Sequence, residues 1–246
     1  MAVTAEGLQA LLVVQAHDTA ADQLRHRRAT LPERASLAAV EGRVAAAEQE
    51  AAGEAEALGA VARRQRRLED ELATVEAKVA STEAQLYGGS VRALRELQAL
   101  QEELEALGRR RSDLEDAVLE VLTEREPLDA ALAALDDRRL ALYGEAAGVR
   151  SAIAEAEAAL DAELTGEAGA RREAAAGIAA DLLARYERLR SANQGVGVAR
   201  LRNGRCDGCH LSLPATELDR IRHEPPDALV HCDHCGRILV RPDGSP

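Results

Sequence analysis

A three–four spacing of apolar residues runs through most of this chain and leaves few folds open to it. It begins at Leu37, Val40, Val44, Ala47 and Ala51 and continues through Leu58, Val61, Leu68, Leu72, Val75 and Val79 to Leu86. A second series starts at Leu97, Leu100, Leu104 and Leu107 and keeps step through Leu114, Val121, Leu128, Leu135 and Leu142 to Leu160. A sustained seven-residue apolar repeat is the a/d seam of a coiled coil. The two series are separated by Tyr87-Gly88-Gly89-Ser90, and two amphipathic helices joined by such a turn fold back as an antiparallel hairpin. Centring the turn between Gly88 and Gly89 makes the numbers of facing residues add to 177, which sets Pro32-Glu33 against Gly144-Glu145. Pro127 sits inside the second arm without disturbing the spacing, so a kink is expected there rather than an end.

Composition supports this reading. Aromatic residues make up 1% of the 246, with three tyrosines and neither Trp nor Phe. The large side chains that build the core of a compact α/β enzyme are missing. Ala, Leu, Glu and Arg dominate, as in long helices. Residues 4–29 read as a separate helix packed on the region after Gly144. A break is expected at Thr165–Gly169, followed by a helix over Arg171–Arg190. No stretch approaches the roughly 18 apolar residues of a membrane span. Met1–Ala16 lacks a basic leader and a cleavage site, so no signal peptide is read and the expected compartment is the cytoplasm.

Beyond Ser191 the pattern changes to short alternating runs, an Asn203-Gly204 hairpin signal, Pro214, Pro225-Pro226 and a last apolar run Ile238-Leu239-Val240. A β-rich module of this size needs a staple. The sequence supplies one in Cys206-x-x-Cys209 and Cys232-x-x-Cys235, its only four cysteines. Four thiolates from two tight turns close a tetrahedron around one structural Zn²⁺, and a closed tetrahedron has no open position for catalysis. Gly236 after the last cysteine lets the backbone turn back toward the sulfur. His210, His231 and His234 are read as neighbouring imidazoles, since four sulfurs suffice. The expected fold is therefore mostly α: a hairpin domain over residues 1–192 with its tip at 87–90, and a C4-type zinc ribbon over 193–246.

Two groups of arginines are candidate contact surfaces. The ribbon carries Arg200, Arg202, Arg205, Arg220, Arg222 and Arg237, candidates for contact with a nucleic-acid backbone. Its cations and anions balance, so the net charge of −12 belongs to the rest of the chain. The ribbon has no aromatic residue for base stacking. In the hairpin, the fold-back rule gathers Arg63, Arg64, Arg66 and Arg67 opposite Arg109, Arg110 and Arg111, a candidate site for an acidic partner. It also sets Arg111 beside Gln65 and Arg125 beside Glu54 within the seam, where polar layers fix register.

These residues resemble a family of bacterial proteins with an N-terminal coiled-coil hairpin and a C-terminal C4-type zinc ribbon. The resemblance rests on Gly204-x-Cys206-x-Gly208-Cys209-His210-x-x-Leu213-Pro214, on Cys232-x-x-Cys235-Gly236-Arg237-Ile238-Leu239, and on Leu86-Tyr87-Gly88-Gly89 followed by Glu96-Leu97-Gln98. The Leu12–Asp18 stretch with Pro32 also fits; Arg95 and Val240 depart from the family's usual Lys and Tyr. The resemblance implies a regulatory adaptor, of a kind linked to flagellar and type III secretion control, with sigma-factor and RNA partners. The residues themselves offer no nucleophile–base pair, no phosphate loop and no open metal position, so a non-enzymatic protein without a small-molecule substrate is expected. Two functions follow as expectations: nucleic-acid binding through the ribbon with a protein partner on the coiled coil, or a pure protein adaptor or chaperone. A hairpin that positions a metal inside RNA polymerase needs acidic residues at its tip, and a zinc hook needs cysteines there; the tip has neither.

Overall fold

The computed structural model describes residues 4–89 and 91–241. Ser90 of the expected tip and Asp243 of the ribbon lie outside them. The chain divides into two compact units, Ser36–Val149 and Met1–Ala35 with Arg150–Pro246. Among the described residues no helix is long and apolar enough to cross a membrane.

Ser36–Val149 is the hairpin, formed by parts of α2 (Pro32–Tyr87) and α3 (Leu94–Ala175). Its buried seam is the heptad pattern made real: Val40, Ala47, Ala51 and Thr82 on α2, and Leu114, Val121, Leu142 and Ala146 on α3. Pro127 lies within α3, which continues through it. The register differs from the fold-back rule. Residues joined across the arms have numbers adding to 181 near the turn (Glu71 with Arg110, Lys78 with Glu103) and to 188 farther along (Arg64 with Glu124, Glu50 with Arg138, Arg43 with Glu145). The turn is wider than two glycines: α2 ends at Tyr87 and helix resumes only at Leu94, which accounts for the shift to 181 near the turn. Gln65 consequently meets Arg125, whose Nη1 donates to its Oε1 at 3.2 Å, and not Arg111. Arg111 instead pairs along its own helix with Glu115 at 3.4 Å.

The other unit is built around a small sheet. Helix α1 (Ala5–Ala29) opens with Thr4 accepting the Gly7 N–H at 3.0 Å, a side-chain cap. Helix α3 does not break at Thr165–Gly169, because α1 holds that stretch. His17 bonds Glu167 at 2.7 Å, and Arg171 donates to Asp18 at 2.8 Å. The break falls at 176–179, before α4 (Ala180–Ala192). Then follow β1 (Val198–Arg202), β2 (Arg205–Cys206), α5 (Ala215–His223), β3 (Val230–His231) and β4 (Ile238–Val240). The strand order is β2-β1-β4-β3; β1 and β4 run parallel, and the outer pairs are antiparallel.

This sheet is covered on both faces, which explains why Ile238-Leu239-Val240 is an apolar run and not an alternation. Val198, Ile238 and Val240 pack on Leu8, Leu11 and Val14 of α1 and on Leu182 and Tyr186 of α4. Ala199 and Leu239 face the opposite way, into a core shared with Cys206, Cys232, Leu213, Ile221 and Val230.

A buried polar cluster seats the segment that leads into β1. The Gln15 amide behaves as a strand partner: Nε2 donates to the Gly195 carbonyl and Oε1 accepts from the Gly197 N–H, both at 2.8 Å. One turn along, Asp18 accepts from the Tyr186 hydroxyl at 2.7 Å and from Arg171. Tyr186 is fully buried, and that burial, with the Asp18 carboxylate beside it, pushes its phenol pKa up, so it stays a donor.

Candidate metal centre

The two cysteine turns come from equivalent places in the sheet. Asn203 and Gly204 both have positive φ, 51° and 72°, the requirement of a tight type I′ turn. The turn folds β2 back on β1 and delivers Cys206 at the strand end. Cys232 follows β3 in the same manner. In each turn the residue after the second cysteine closes the loop: His210 N–H donates to the Cys206 carbonyl at 2.8 Å, and Gly236 N–H to the Cys232 carbonyl at 2.7 Å. Both closing residues are left-handed, Gly236 at φ 72° and His210 at φ 61°. His210 therefore has a backbone role that its side chain does not reveal. The imidazoles of His210 and His234 are exposed, and His231 Nδ1 bonds the Gly236 carbonyl at 3.0 Å.

The four sulfurs lie within 4.8 Å of one another, with Cys206–Cys235 and Cys209–Cys232 both at 3.9 Å. A tetrahedron with Zn–S bonds of about 2.3 Å requires sulfurs about 3.8 Å apart. The separations fit one zinc ion and are far too long for disulfides. Cys206 and Cys232 are buried and Cys209 and Cys235 half-buried, so the site is closed and structural. Burial pushes the Cys206 thiol up, and the Cys232 thiol up to about 12. Burial also raises Cys235, but donors from the Arg237 backbone and side chain outweigh it and leave Cys235 near about 7. Zinc binding at neutral pH must therefore displace protons from Cys206 and Cys232.

One neighbour escaped sequence reading. Glu217, on the first turn of α5, is buried, and its Oε1 accepts the Asp233 N–H at 3.3 Å, bracing the second cysteine turn from outside. Its only sequence signal is an acid placed among residues of a short apolar-faced helix.

The ribbon arginines divide into different environments. Arg200 and Arg202 are exposed two residues apart on β1, and Arg205 is the cross-strand partner of Arg202. Successive side chains alternate across a strand, so all three share one face. Arg202 lies 3.5 Å from Asp207, and Arg205 donates to the His210 carbonyl at 2.8 Å. Arg220 pairs with Asp233 at 3.3 Å, and Arg222 is exposed on α5. Arg237 is turned inward, donating to the carbonyls of Val196 and Asn193 at 2.9 and 3.1 Å. In the hairpin Arg63, Arg66, Arg67 and Arg109 are exposed, whereas Arg64 and Arg110 pair with Glu124 and Glu71 on the opposite arm. The shifted register thus brings carboxylates, and not more arginines, to the two that are paired across the arms.

Comparison with known proteins agrees with this architecture. The CT398-like coiled coil hairpin domain matches residues 14–194, and the C4-type zinc ribbon domain matches residues 205–239. An uncharacterized protein of Mycobacterium tuberculosis is 33% identical over 236 residues, covering 96% of both chains. A solved structure from Mycobacterium smegmatis superposes with a TM-score of 0.88 at 26% identity, covering 98% of this chain and all of that one. CT398 from Chlamydia trachomatis shares the fold at TM-score 0.68 and 20% identity, over 96% of this chain and 98% of its own. The HP0958 protein of Helicobacter pylori does so over the full length of both chains, at 0.52 and 18%.

Proposed function

The chain belongs to the CT398-like coiled coil hairpin family and carries a C4-type zinc ribbon, and on that footing we propose that it is a non-enzymatic regulatory adaptor whose ribbon binds nucleic acid. The observation that carries this reading is the register of the first hairpin. Arg202 and Arg205 stand directly opposite, and Arg200 follows on the same face. Like charges in a cross-strand pair destabilise a hairpin. Asp207, 3.5 Å from Arg202, is one carboxylate against three guanidinium groups, so the row keeps a surplus of positive charge that a further anion would neutralise. A phosphate backbone supplies that anion, and a row of guanidinium groups suits its spacing of charge. The lack of aromatics on the ribbon favours contact with backbone over stacking on bases, hence weak sequence preference. Arg220 and Arg222 lie on α5, which packs on the other face of the sheet, and Arg237 is turned inward, so the row is Arg200, Arg202 and Arg205.

Fluorescence anisotropy with labelled single-stranded RNA and DNA tests this. Affinity falls steeply between about 50 and 200 mM salt. The triple variant Arg200→Glu, Arg202→Glu, Arg205→Glu loses at least about tenfold at low salt, and its salt slope is shallower by about three phosphates. Absence of binding by the native protein at low salt contradicts the proposal. In that event the pure protein adaptor stands, a reading favoured by Tyr87 and Leu94, which close the hairpin turn with 79% and 72% of their surface exposed. An exposed tyrosine is a recurrent anchor of protein interfaces.

A further inference from the structure

The segment 193–197 joins α4 to the ribbon, and it is held from two sides. From the helical side, Gln15 grips Gly195 and Gly197. From the ribbon side, the Ile238 N–H donates to the Gly197 carbonyl at 3.1 Å, and one side chain holds the rest of the segment. Arg237 Nε donates to the Val196 carbonyl at 2.9 Å, and Nη2 to the Asn193 carbonyl at 3.1 Å. The same residue belongs to the metal centre. It follows Gly236 in the second cysteine turn, and its carbonyl accepts the Cys232 N–H at 2.9 Å. Its stem also crosses the first cysteine turn: a Cβ on Gly208 would lie 2.7 Å from Arg237 Cδ. Arg237 therefore touches both metal-binding turns and the linker at once.

We infer that Arg237 couples occupancy of the four-cysteine site to the seating of the ribbon on α1 and α4. With zinc bound, four sulfurs lock the two turns against each other, and the guanidinium is held where its fork meets both linker carbonyls. Without zinc the turns separate, the fork loses its footing, and the Asn193 and Val196 carbonyls lose their donors, leaving the linker to Gln15 and the Gly197–Ile238 bond. The α1 face formed by Leu11, Val14 and Gln15 then holds its partner strand less firmly. Linkage makes the effect reciprocal: a ribbon well seated on α1 holds zinc more tightly. This coupling is independent of what the ribbon binds.

Hydrogen exchange on the full chain, zinc-loaded and chelator-stripped, tests the coupling with three proteins: native, Arg237→Ala and Arg237→Lys. Stripping the native protein is expected to speed exchange at Gly195–Val198 and at Leu11–Asp18 by about tenfold or more, leaving Ser36–Val149 unchanged. Arg237→Ala is expected to retain one zinc per chain by dye titration. While loaded, it already shows the faster exchange at Gly195–Val198, and stripping adds little at Leu11–Asp18. Arg237→Lys behaves like Arg237→Ala, because a single ammonium cannot fork to two carbonyls. The inference is overturned if Leu11–Asp18 exchange ignores zinc in the native protein. It is overturned equally if Arg237→Ala matches the native protein in exchange, or if its zinc affinity equals the native one, since the coupling is reciprocal.

Discussion

Cys232→Ser is expected to leave the protein with well under one zinc per chain and a ribbon open to protease, while the hairpin keeps its helical circular dichroism. Cys232 is buried, with its sulfur 3.9 Å from that of Cys209, and a serine oxygen supplies neither the soft donor nor the bond length that zinc takes from sulfur. The loss is large because metal binding in a small domain is also its folding free energy, on the order of 10–16 kcal/mol for structural zinc. The apolar core around the site, chiefly Leu213, Ile221, Val230 and Leu239, is too small to replace it. Ser36–Val149 has its own buried seam at Val40, Ala47, Leu114 and Val121, so its helices do not depend on the metal. Full zinc content and a protected ribbon in this variant would contradict the reading.

Gly197→Ala is the second large effect. An added Cβ would lie 2.7 Å from the Tyr186 carbonyl oxygen, 2.9 Å from the Arg190 nitrogen and 2.9 Å from Tyr186 Cδ2. Two of these atoms are backbone and the third is a fully buried ring, so none can swing aside. Nor can the linker step back, because Gly197 N–H is held by Gln15 and its carbonyl by the Ile238 N–H at 3.1 Å. Overpacking against fixed backbone is expected to destabilise this unit by about 3 kcal/mol or more. Gly53→Ala is the matched control: nothing lies within 4 Å of its added Cβ on α2, and better helix propensity should stabilise by roughly 1 kcal/mol. Urea denaturation followed by exchange of the Val198 and Ile238 amides separates the two. Equal stability of Gly197→Ala and the native protein would refute the close approach.

The features legible in the sequence were those written in short-range periodicity. The heptad seams, the glycine turn, the Asn203-Gly204 hairpin and the paired Cys-x-x-Cys each depend on residues a few positions apart. What was not legible depends on distance along the chain. The register near the turn depends on α2 ending at Tyr87 and helix resuming only at Leu94, and no local propensity records that. The persistence of α3 through Thr165–Gly169 comes from His17 and Asp18, some 150 positions away. Gln15 serves as a strand partner for Gly195 and Gly197, some 180 positions away, and nothing near it in the sequence signals that role. Arg237 looked like a surface cation beside the last cysteines, yet it faces inward, because its guanidinium bonds the linker carbonyls of Val196 and Asn193. His210 had a signal that can be used elsewhere. It occupies the position equivalent to Gly236, so the residue after the second cysteine of each turn is a candidate for left-handed backbone whatever its side chain.

The central claim, that this chain's ribbon is closed by one four-sulfur zinc site, is tested most directly by zinc-edge X-ray absorption on the purified full chain. The account predicts one zinc per chain with a single shell of four sulfurs at about 2.3 Å. A shell containing nitrogen or oxygen ligands, or zinc far below one per chain, would contradict it.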